Sequence, residues 1–96
     1  MKNIKIEEAI SKINEKIYPF TMKYKEMKKD VFLIIQVYYK KSLLLEFYID
    51  KIKLEYLRVS IDFEILETLK HVLRHSNVKI MELEEIRMLK AILQNF

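Results

Sequence analysis

The most informative gap in this 96-residue sequence is glycine, which is absent where an average chain of this length would hold about seven. Glycine lets the backbone approach a phosphate closely and adopts a positive φ without steric cost. Its absence excludes the P-loop, the dinucleotide-binding fingerprint and the nucleophile elbow, which all require it. The composition suits packing and binding better than catalysis, so we expect no enzyme and no cofactor.

Cysteine is also missing, which excludes disulfides, cysteine-ligated metals and a cysteine nucleophile. No apolar run approaches the roughly 20 residues of a membrane span. Residues 1–17 carry charges where a secretory signal would be apolar. We therefore expect a cytoplasmic protein without a membrane partner, and its length predicts a single domain over residues 1–96.

Apolar residues make up 51% of the chain and aromatic residues 11%. A domain of this size has much surface and little interior, so part of this apolar content has to lie at the surface or against a second chain. We therefore expect a homodimer or a complex with a protein partner. The alternative is a monomer with scattered surface Leu and Tyr side chains, which is common.

The net charge of +4 is distributed unevenly along the chain. Residues 1–30 carry a net +3 and residues 31–61 a net +2, whereas residues 62–96 carry a net −1. The basic character therefore belongs to the first two thirds of the sequence. It falls short of the charge density of a dedicated nucleic-acid-binding arm.

Helical periodicity marks the N-terminal segment from residue 4 to residue 17. Isoleucines recur there at intervals of four, three and four, which places them on one face of an amphipathic helix. These isoleucines are Ile6, Ile10, Ile13 and Ile17. Asn3 is placed to cap this helix, and Pro19 ends it.

A strand period follows the first helix. Phe20, Met22 and Tyr24 alternate with polar residues, which predicts a half-buried strand. The segment from Val31 to Tyr39 is rich in β-branched and aromatic residues and predicts a second strand. Its alternation separates two faces, one with Val31, Leu33, Ile35, Val37 and Tyr39, the other with Phe32, Ile34, Gln36 and Tyr38.

Lys40, Lys41 and Ser42 predict the turn of a hairpin made without glycine. Residues 43–50 then predict the return strand, with Leu43, Leu45, Phe47 and Ile49 on one side. Residues 51–61 alternate again and predict a further strand. Its phase slips, and a bulge near Tyr56 and Leu57 would explain the slip.

From Asp62 the helical period returns, with Ser60 or Asp62 as the N-cap. The predicted core stripe of this helix consists of Ile65, Leu66, Leu69, Val72 and Leu73. Ser76 and Asn77 interrupt the pattern. A last helix is predicted over residues 81–94, with inward Leu83, Ile86, Leu89, Leu93 and Phe96. Val78 to Ile80 fits either an extended segment or the first turn of that helix.

The order of these elements predicts an α+β domain with an N-terminal helix, an antiparallel meander of three to four strands and two C-terminal helices. An all-helical alternative exists, because apolar residues between positions 35 and 52 can also be placed on a helical stripe. The density of Val, Ile, Phe and Tyr between residues 31 and 49 favours strands.

Glu67, His71 and His75 are spaced four residues apart on a predicted helix, which is the spacing of a helical metal site. All three point away from the core stripe that contains Leu69. A row of hydrated polar side chains explains them better, so we expect no metal site.

The start of the last predicted helix is acidic, with Glu82, Glu84 and Glu85. The helix dipole favours negative charge there, so a structural role explains these residues better than acid–base catalysis. They also argue against a helix-turn-helix mode, since a recognition helix docks with its N-terminal part in the groove. No serine and histidine have the geometry of a nucleophile and its base, so no catalytic residue is predicted.

Basic residues cluster around the predicted strands, with Tyr38, Tyr48 and Tyr56 between them. A hairpin that enters a groove, or a sheet whose aromatic rings stack on unpaired bases, uses this arrangement. The alternative is that the lysines blunt the sheet edges and keep the protein soluble. The candidate nucleic-acid-binding residues are Lys23, Lys25, Lys28, Lys29, Lys40, Lys41, Lys51, Lys53 and Arg58.

We therefore expect a small, basic, dimeric DNA-binding accessory protein whose hairpin tip, at Lys40 and Lys41, contacts phosphate. Two alternatives stay open. One is a protein–protein interaction module, an inhibitor or adaptor, that uses an apolar sheet face at Phe32, Ile34 and Tyr38. The other is a small toxin-like ribonuclease, which needs only a few Arg, Lys, Tyr and His side chains.

Overall fold

A computed structural model describes residues 4–26, 32–50, 61–75 and 83–96 of the chain. The first helix, α1, spans Ile4–Ile17, and three strands follow it: β1 at Phe20–Glu26, β2 at Phe32–Tyr39 and β3 at Ser42–Asp50. Two helices complete the order, α2 at Ile61–His75 and α3 at Glu84–Leu93. This arrangement confirms the predicted α+β fold, with three strands in the described residues where three to four were expected.

The strands form one antiparallel sheet in the order β1-β2-β3. Alternation along β2 buries Leu33, Ile35 and Val37 completely on one face, which we call the inner face. Tyr24 of β1 and Phe47 of β3 lie in register with Ile35 and extend this face across the sheet. The isoleucine stripe of α1 is buried against the inner face, as its spacing predicted.

The two C-terminal helices complete the core on the same side of the sheet. α2 contacts α1 and β3, and α3 contacts α1 and α2. Their most deeply buried side chains recur at helical spacing and are Ile65, Leu69, Leu73, Ile86, Leu89 and Leu93. Helix packing is therefore concentrated on the inner face, and the opposite face of the sheet, the outer face, keeps several large side chains exposed.

The prediction that Leu43 shares one side of its strand with Leu45, Phe47 and Ile49 is wrong. A register shift lies between Val37 and Tyr38 of β2, where Val37 pairs with Leu45 but Tyr38 pairs with Leu43. Leu44 is the extra residue at this β-bulge and is buried, whereas Leu43 lies beside Tyr38 on the outer face. A bulge reverses the alternation of a strand, so a period of two cannot place residues on both sides of it.

Three helix-end predictions are also corrected. Ile61 was assigned to a strand, but it is the first residue of α2, and Asp62 therefore lies within the helix and is not its N-cap. Leu83 is the extended N-cap of α3 and is exposed, so it does not point inward. Phe96 lies beyond the end of α3 and is exposed as well. Leu83 and Phe96 lie outside the helix and no longer follow its period, whereas the start of α2 is misplaced by one residue because helix ends are poorly marked by periodicity.

Several sequence predictions lie outside the described residues. They concern the segment from Lys51 to Ser60 with its bulge near Tyr56, and the choice between strand and helix for Val78 to Ile80. Within the described ranges, none of the helices combines the length and apolar character that a membrane crossing requires.

A side-chain amide joins α1 to the sheet. The Nδ2 group of Asn14 donates to the backbone carbonyl of Met22 at 3.1 Å, and the backbone N–H of Met22 donates to Oδ1 of Asn14 at 2.6 Å. Because β1 is at an end of the strand order, Met22 has no strand on that side in the described sheet. The amide of Asn14 supplies both partners that a neighbouring strand would provide.

A second link between the same two elements is formed by the Tyr24 hydroxyl, which donates to Oε1 of Glu7 at 3.2 Å. Burial, followed by this hydrogen bond and the negative charges of Glu7 and Glu26, raises the pKa of Tyr24 above its ordinary value. The hydroxyl therefore stays protonated and remains a donor at neutral pH.

Replacing Asn14 with Ala is expected to lower the free energy of unfolding by about 1–3 kcal/mol, because two backbone groups in a partly buried setting lose their partners. Urea unfolding of Asn14→Ala measures this loss. Ser11→Ala, at an exposed position of the same helix, is the control and is expected to change stability little. Equal stabilities of the two variants would contradict a structural role for the amide.

Candidate nucleic-acid interface

The outer face of the sheet is ordered by the strand register into rows of side chains. Nearest the hairpin turn, Thr21, Tyr38 and Leu43 lie side by side. The next row contains Lys23, Gln36 and Glu46, and the third contains Lys25, Ile34 and Tyr48. Phe32 and Asp50 pair at the far end. The face thus combines aromatic, apolar and basic side chains.

Large apolar side chains of this face are open to solvent. Tyr48 is 59% exposed, Leu43 49% and Phe32 44%. Ile34 and Tyr38 are half-buried. Exposed apolar side chains of this size on one face of a sheet favour a role in binding.

A chain of hydrogen bonds links the rings of this face through its second row. The Tyr38 hydroxyl donates to Oε1 of Gln36 at 3.2 Å, and Nε2 of Gln36 donates to Oε2 of Glu46 at 2.8 Å. The Tyr48 hydroxyl lies 3.5 Å from Oε1 of Glu46, at the limit of a hydrogen bond. Gln36 is only 7% exposed although it is on the outer face, and both ends of its amide are bonded. The network connects the Tyr38 hydroxyl, through Gln36, to the carboxylate that the Tyr48 hydroxyl approaches.

Two lysines of β1 flank this network. The ammonium of Lys23 lies 5.0 Å from the centre of the Tyr38 ring, within the range of a cation–π contact. Lys25 is exposed in the same row as Tyr48. Positive charge therefore lies along the β1 side of the aromatic rings.

The hairpin tip consists of two exposed lysines, Lys40 and Lys41, between the paired residues Tyr39 and Ser42. Lys40 has a φ of 58°, in the left-handed region that favours glycine. Its ammonium lies 5.5 Å from the ring centre of Tyr39, which in turn packs 5.2 Å from that of Phe20. The tip thus projects two charges from a backbone that is supported by the core.

Four of the nine candidate residues are described, and all four are exposed: Lys23, Lys25, Lys40 and Lys41. The strand pairing brings Lys23 and Lys25 to the outer face and Lys40 and Lys41 to the tip. The remaining five lie outside the described residues, namely Lys28, Lys29, Lys51, Lys53 and Arg58.

A basic cleft of about 380 Å³ between α2 and α3 was not predicted from the sequence. It is lined by the basic residues Lys70, Arg74 and Lys90 and by Leu73 and Leu93. Lys70 lies 3.6 Å from the carboxylate of Glu67 and donates to the backbone oxygen of Phe96 at 3.2 Å. Arg74 and Lys90 are in the last turns of their helices, where cations compensate the helix dipole. These charges are therefore explained by the helices themselves.

The three residues with the spacing of a helical metal site lie on the exposed side of α2, as the sequence predicted. Glu67, His71 and His75 are exposed, and the two imidazole rings lie 4.3 Å apart. Among the described residues no group of three metal-ligating side chains converges. The row is positioned as a hydrated helix surface, and the expectation that it binds no metal stays a prediction.

No protein-family model matches this chain, and neither a curated protein nor a solved structure matches it. The chemistry of the interface therefore has to be argued from its own side chains. They offer stacking surfaces, fixed hydroxyl groups and cations.

Replacing Lys40 with Gly is expected to raise the free energy of unfolding by up to about 1 kcal/mol, because glycine adopts the positive φ without steric cost. Lys41→Gly is the control, since φ is not positive at Lys41, and it is expected to lower stability by about 0.5–1 kcal/mol. Urea denaturation compares the two variants. Equal destabilisation by both would contradict a strained turn at Lys40.

Treatment with EDTA is expected to leave the melting temperature of the purified protein unchanged, because the side chains of Glu67, His71 and His75 are exposed on the helix surface. Thermal unfolding monitored by circular dichroism and a metal analysis of the protein test this. Stoichiometric zinc whose removal unfolds the chain would show that the three residues form a structural site.

Proposed function

We propose that this protein binds nucleic acid, contacting phosphates through the lysines of β1 and the hairpin tip. The observation that carries the proposal is the outer face itself, where exposed aromatic rings lie beside Lys23 and Lys25 and continue to Lys40 and Lys41. Phosphate contacts supply most of the sequence-independent affinity of such proteins, and aromatic rings add contacts to bases.

The strained backbone at Lys40 supports this proposal. Glycine would be the least costly residue at a φ of 58°, and the chain has a lysine there. Residues in such sparsely populated backbone conformations cluster at functional sites. Lys40 is exposed at the hairpin tip, and its ammonium lies over the Tyr39 ring, where a phosphate can still approach it from solvent.

The helices offer a poorer surface for phosphate. The first turn of α3 contains Glu84 and Glu85, which would face a phosphate if this helix entered a groove. The cations Lys70, Arg74 and Lys90 are partly compensated by Glu67 and by the C-terminal ends of α2 and α3. A sheet-based mode is therefore favoured over a helix-based one.

A protein–protein interaction module is the second candidate. The exposure of Phe32, Leu43 and Tyr48 favours it, because a partner protein would bury these side chains. A homodimer formed through the outer face belongs to this candidate. Light scattering separates the two functions, since a dimer that buries the outer face would compete with nucleic acid for the same surface.

Replacing both Lys40 and Lys41 with Ala is expected to weaken nucleic-acid binding, because two phosphate contacts are lost. The slope of log K against log salt concentration is expected to flatten by up to about 1.8 on duplex DNA and about 1.4 on a single strand. Fluorescence anisotropy with labelled DNA of random sequence, in single- and double-stranded form, and with RNA measures these values.

The matched control is the double variant Lys12→Ala, Arg87→Ala, which removes the same charge from exposed positions of α1 and α3. It is expected to change affinity far less than the hairpin variant does. Equal losses in both variants would mean that only the net charge matters. Absence of binding by the unaltered protein at low salt would overturn the proposed function and leave the interaction module. Cleavage of the RNA during the measurement would point to the ribonuclease alternative.

A further inference from the structure

The two tyrosines of the outer face lie on either side of one row of side chains. The Tyr38 hydroxyl bonds to Gln36, two residues away on its own strand, and the Tyr48 hydroxyl approaches Glu46, two residues away on β3. Each ring therefore leans along its strand toward the row that contains Gln36 and Glu46. The 59% exposure of Tyr48 makes its side chain accessible to a ligand.

The spacing of these rings distinguishes between kinds of nucleic acid. Tyr48 pairs with Ile34, which is four residues from Tyr38 along β2, or about 13 Å at the usual strand rise. Both hydroxyl groups approach the row of Gln36 and Glu46, so the two side chains lean toward each other on the same surface of the sheet. Bases in a duplex are stacked face to face and covered by their neighbours, so they cannot lie on two adjacent platforms. A single strand can place two of its bases on two separate aromatic rings, because its bases are not held in a stack.

The charges of the outer face are suited to a nucleic-acid ligand whose phosphate backbone runs along β1. Lys23 is in the row between the two tyrosines, and Lys25 is in the row of Tyr48. The carboxylate of Glu46 accepts a hydrogen bond from Gln36 and faces the Tyr48 hydroxyl, so its oxygens are directed into the network. Asp50 is at the far end, beside Phe32. Positive charge is therefore concentrated toward the hairpin and the β1 side.

We propose that the ligand is single-stranded nucleic acid and that two of its bases stack on Tyr48 and Tyr38, with its phosphates near Lys23 and Lys25. This inference rests on the nucleic-acid binding proposed above and specifies its ligand. Lys23 covers the Tyr38 ring in the free protein, at 5.0 Å, and moves toward a phosphate when a base takes its place. Tyr48 is 59% exposed and is the first stacking position.

The test compares a labelled 12-nucleotide thymidine strand, a 12-base-pair duplex and an abasic strand of the same length by fluorescence anisotropy. The full chain is expected to bind the thymidine strand at least tenfold more tightly than either the duplex or the abasic strand. Replacing Tyr48 with Leu is expected to weaken binding of the thymidine strand by roughly 5- to 100-fold, the usual loss for one stacked base. The same variant is expected to leave binding of the abasic strand unchanged, since no base is there to be lost.

Two controls distinguish stacking from a general effect of the substitution. Tyr18→Leu removes a tyrosine that is 80% exposed but lies in the turn before β1, and it is expected to leave all affinities unchanged. Tyr48→Phe keeps the ring and is expected to restore most of the affinity for the thymidine strand that Tyr48→Leu loses.

The outcomes separate the two proposals. If none of the three oligonucleotides binds at low salt, the proposed function fails and this inference fails with it. If the oligonucleotides bind but the duplex is preferred, or Tyr48→Leu behaves like Tyr18→Leu, the proposed function stands and the stacking inference is overturned. A loss with Tyr48→Leu that is equal for the thymidine and abasic strands would also overturn it.

Discussion

Burial on one side of a three-stranded sheet is the constraint on which the rest of this structure depends. The inner face presents Leu33, Ile35 and Val37 without any exposed surface, and it is covered by α1 and α2, with α3 packed on both. A chain this short has too few helices to cover both faces of a sheet. The outer face is therefore left to a polar network, exposed rings and lysines, and its availability for binding follows directly from how the core is made.

Periodicity was enough to predict most of this fold. The isoleucine stripe of α1 and the leucine stripes of α2 and α3 depend only on local spacing, so each segment could be assigned without knowledge of its neighbours. The errors lie where the period is interrupted. Leu43 precedes the β-bulge at Leu44, which moves it to the outer face, and Leu83 precedes the first turn of its helix. Glycine often marks a β-bulge or the end of a helix. This sequence contains no glycine, so neither interruption could be recognised from it.

The candidate interface was predictable only in part, and for a related reason. Charge can be counted along a chain, so the lysines of the strand region were identified in advance. The network that connects Tyr38 to Tyr48 depends on Gln36 lying opposite Glu46, and this pairing follows from the strand register and the bulge. A rule of alternation assigned Gln36 to the outer face and could not predict its burial there. The sequence signal for the burial of Gln36 was a single amide in a strand of otherwise apolar and aromatic residues.

The bond between Asn14 and Met22 has a consequence for how this molecule can associate. Sheets grow when a strand from another chain pairs with unoccupied backbone groups at an edge. On β1 the N–H and carbonyl of Met22 are already occupied by a side chain of the protein's own first helix. A foreign strand could pair along the middle of β1 only by displacing α1 from the core. Intermolecular sheet extension and fibril growth through this edge are therefore opposed by the same contact that fixes the helix.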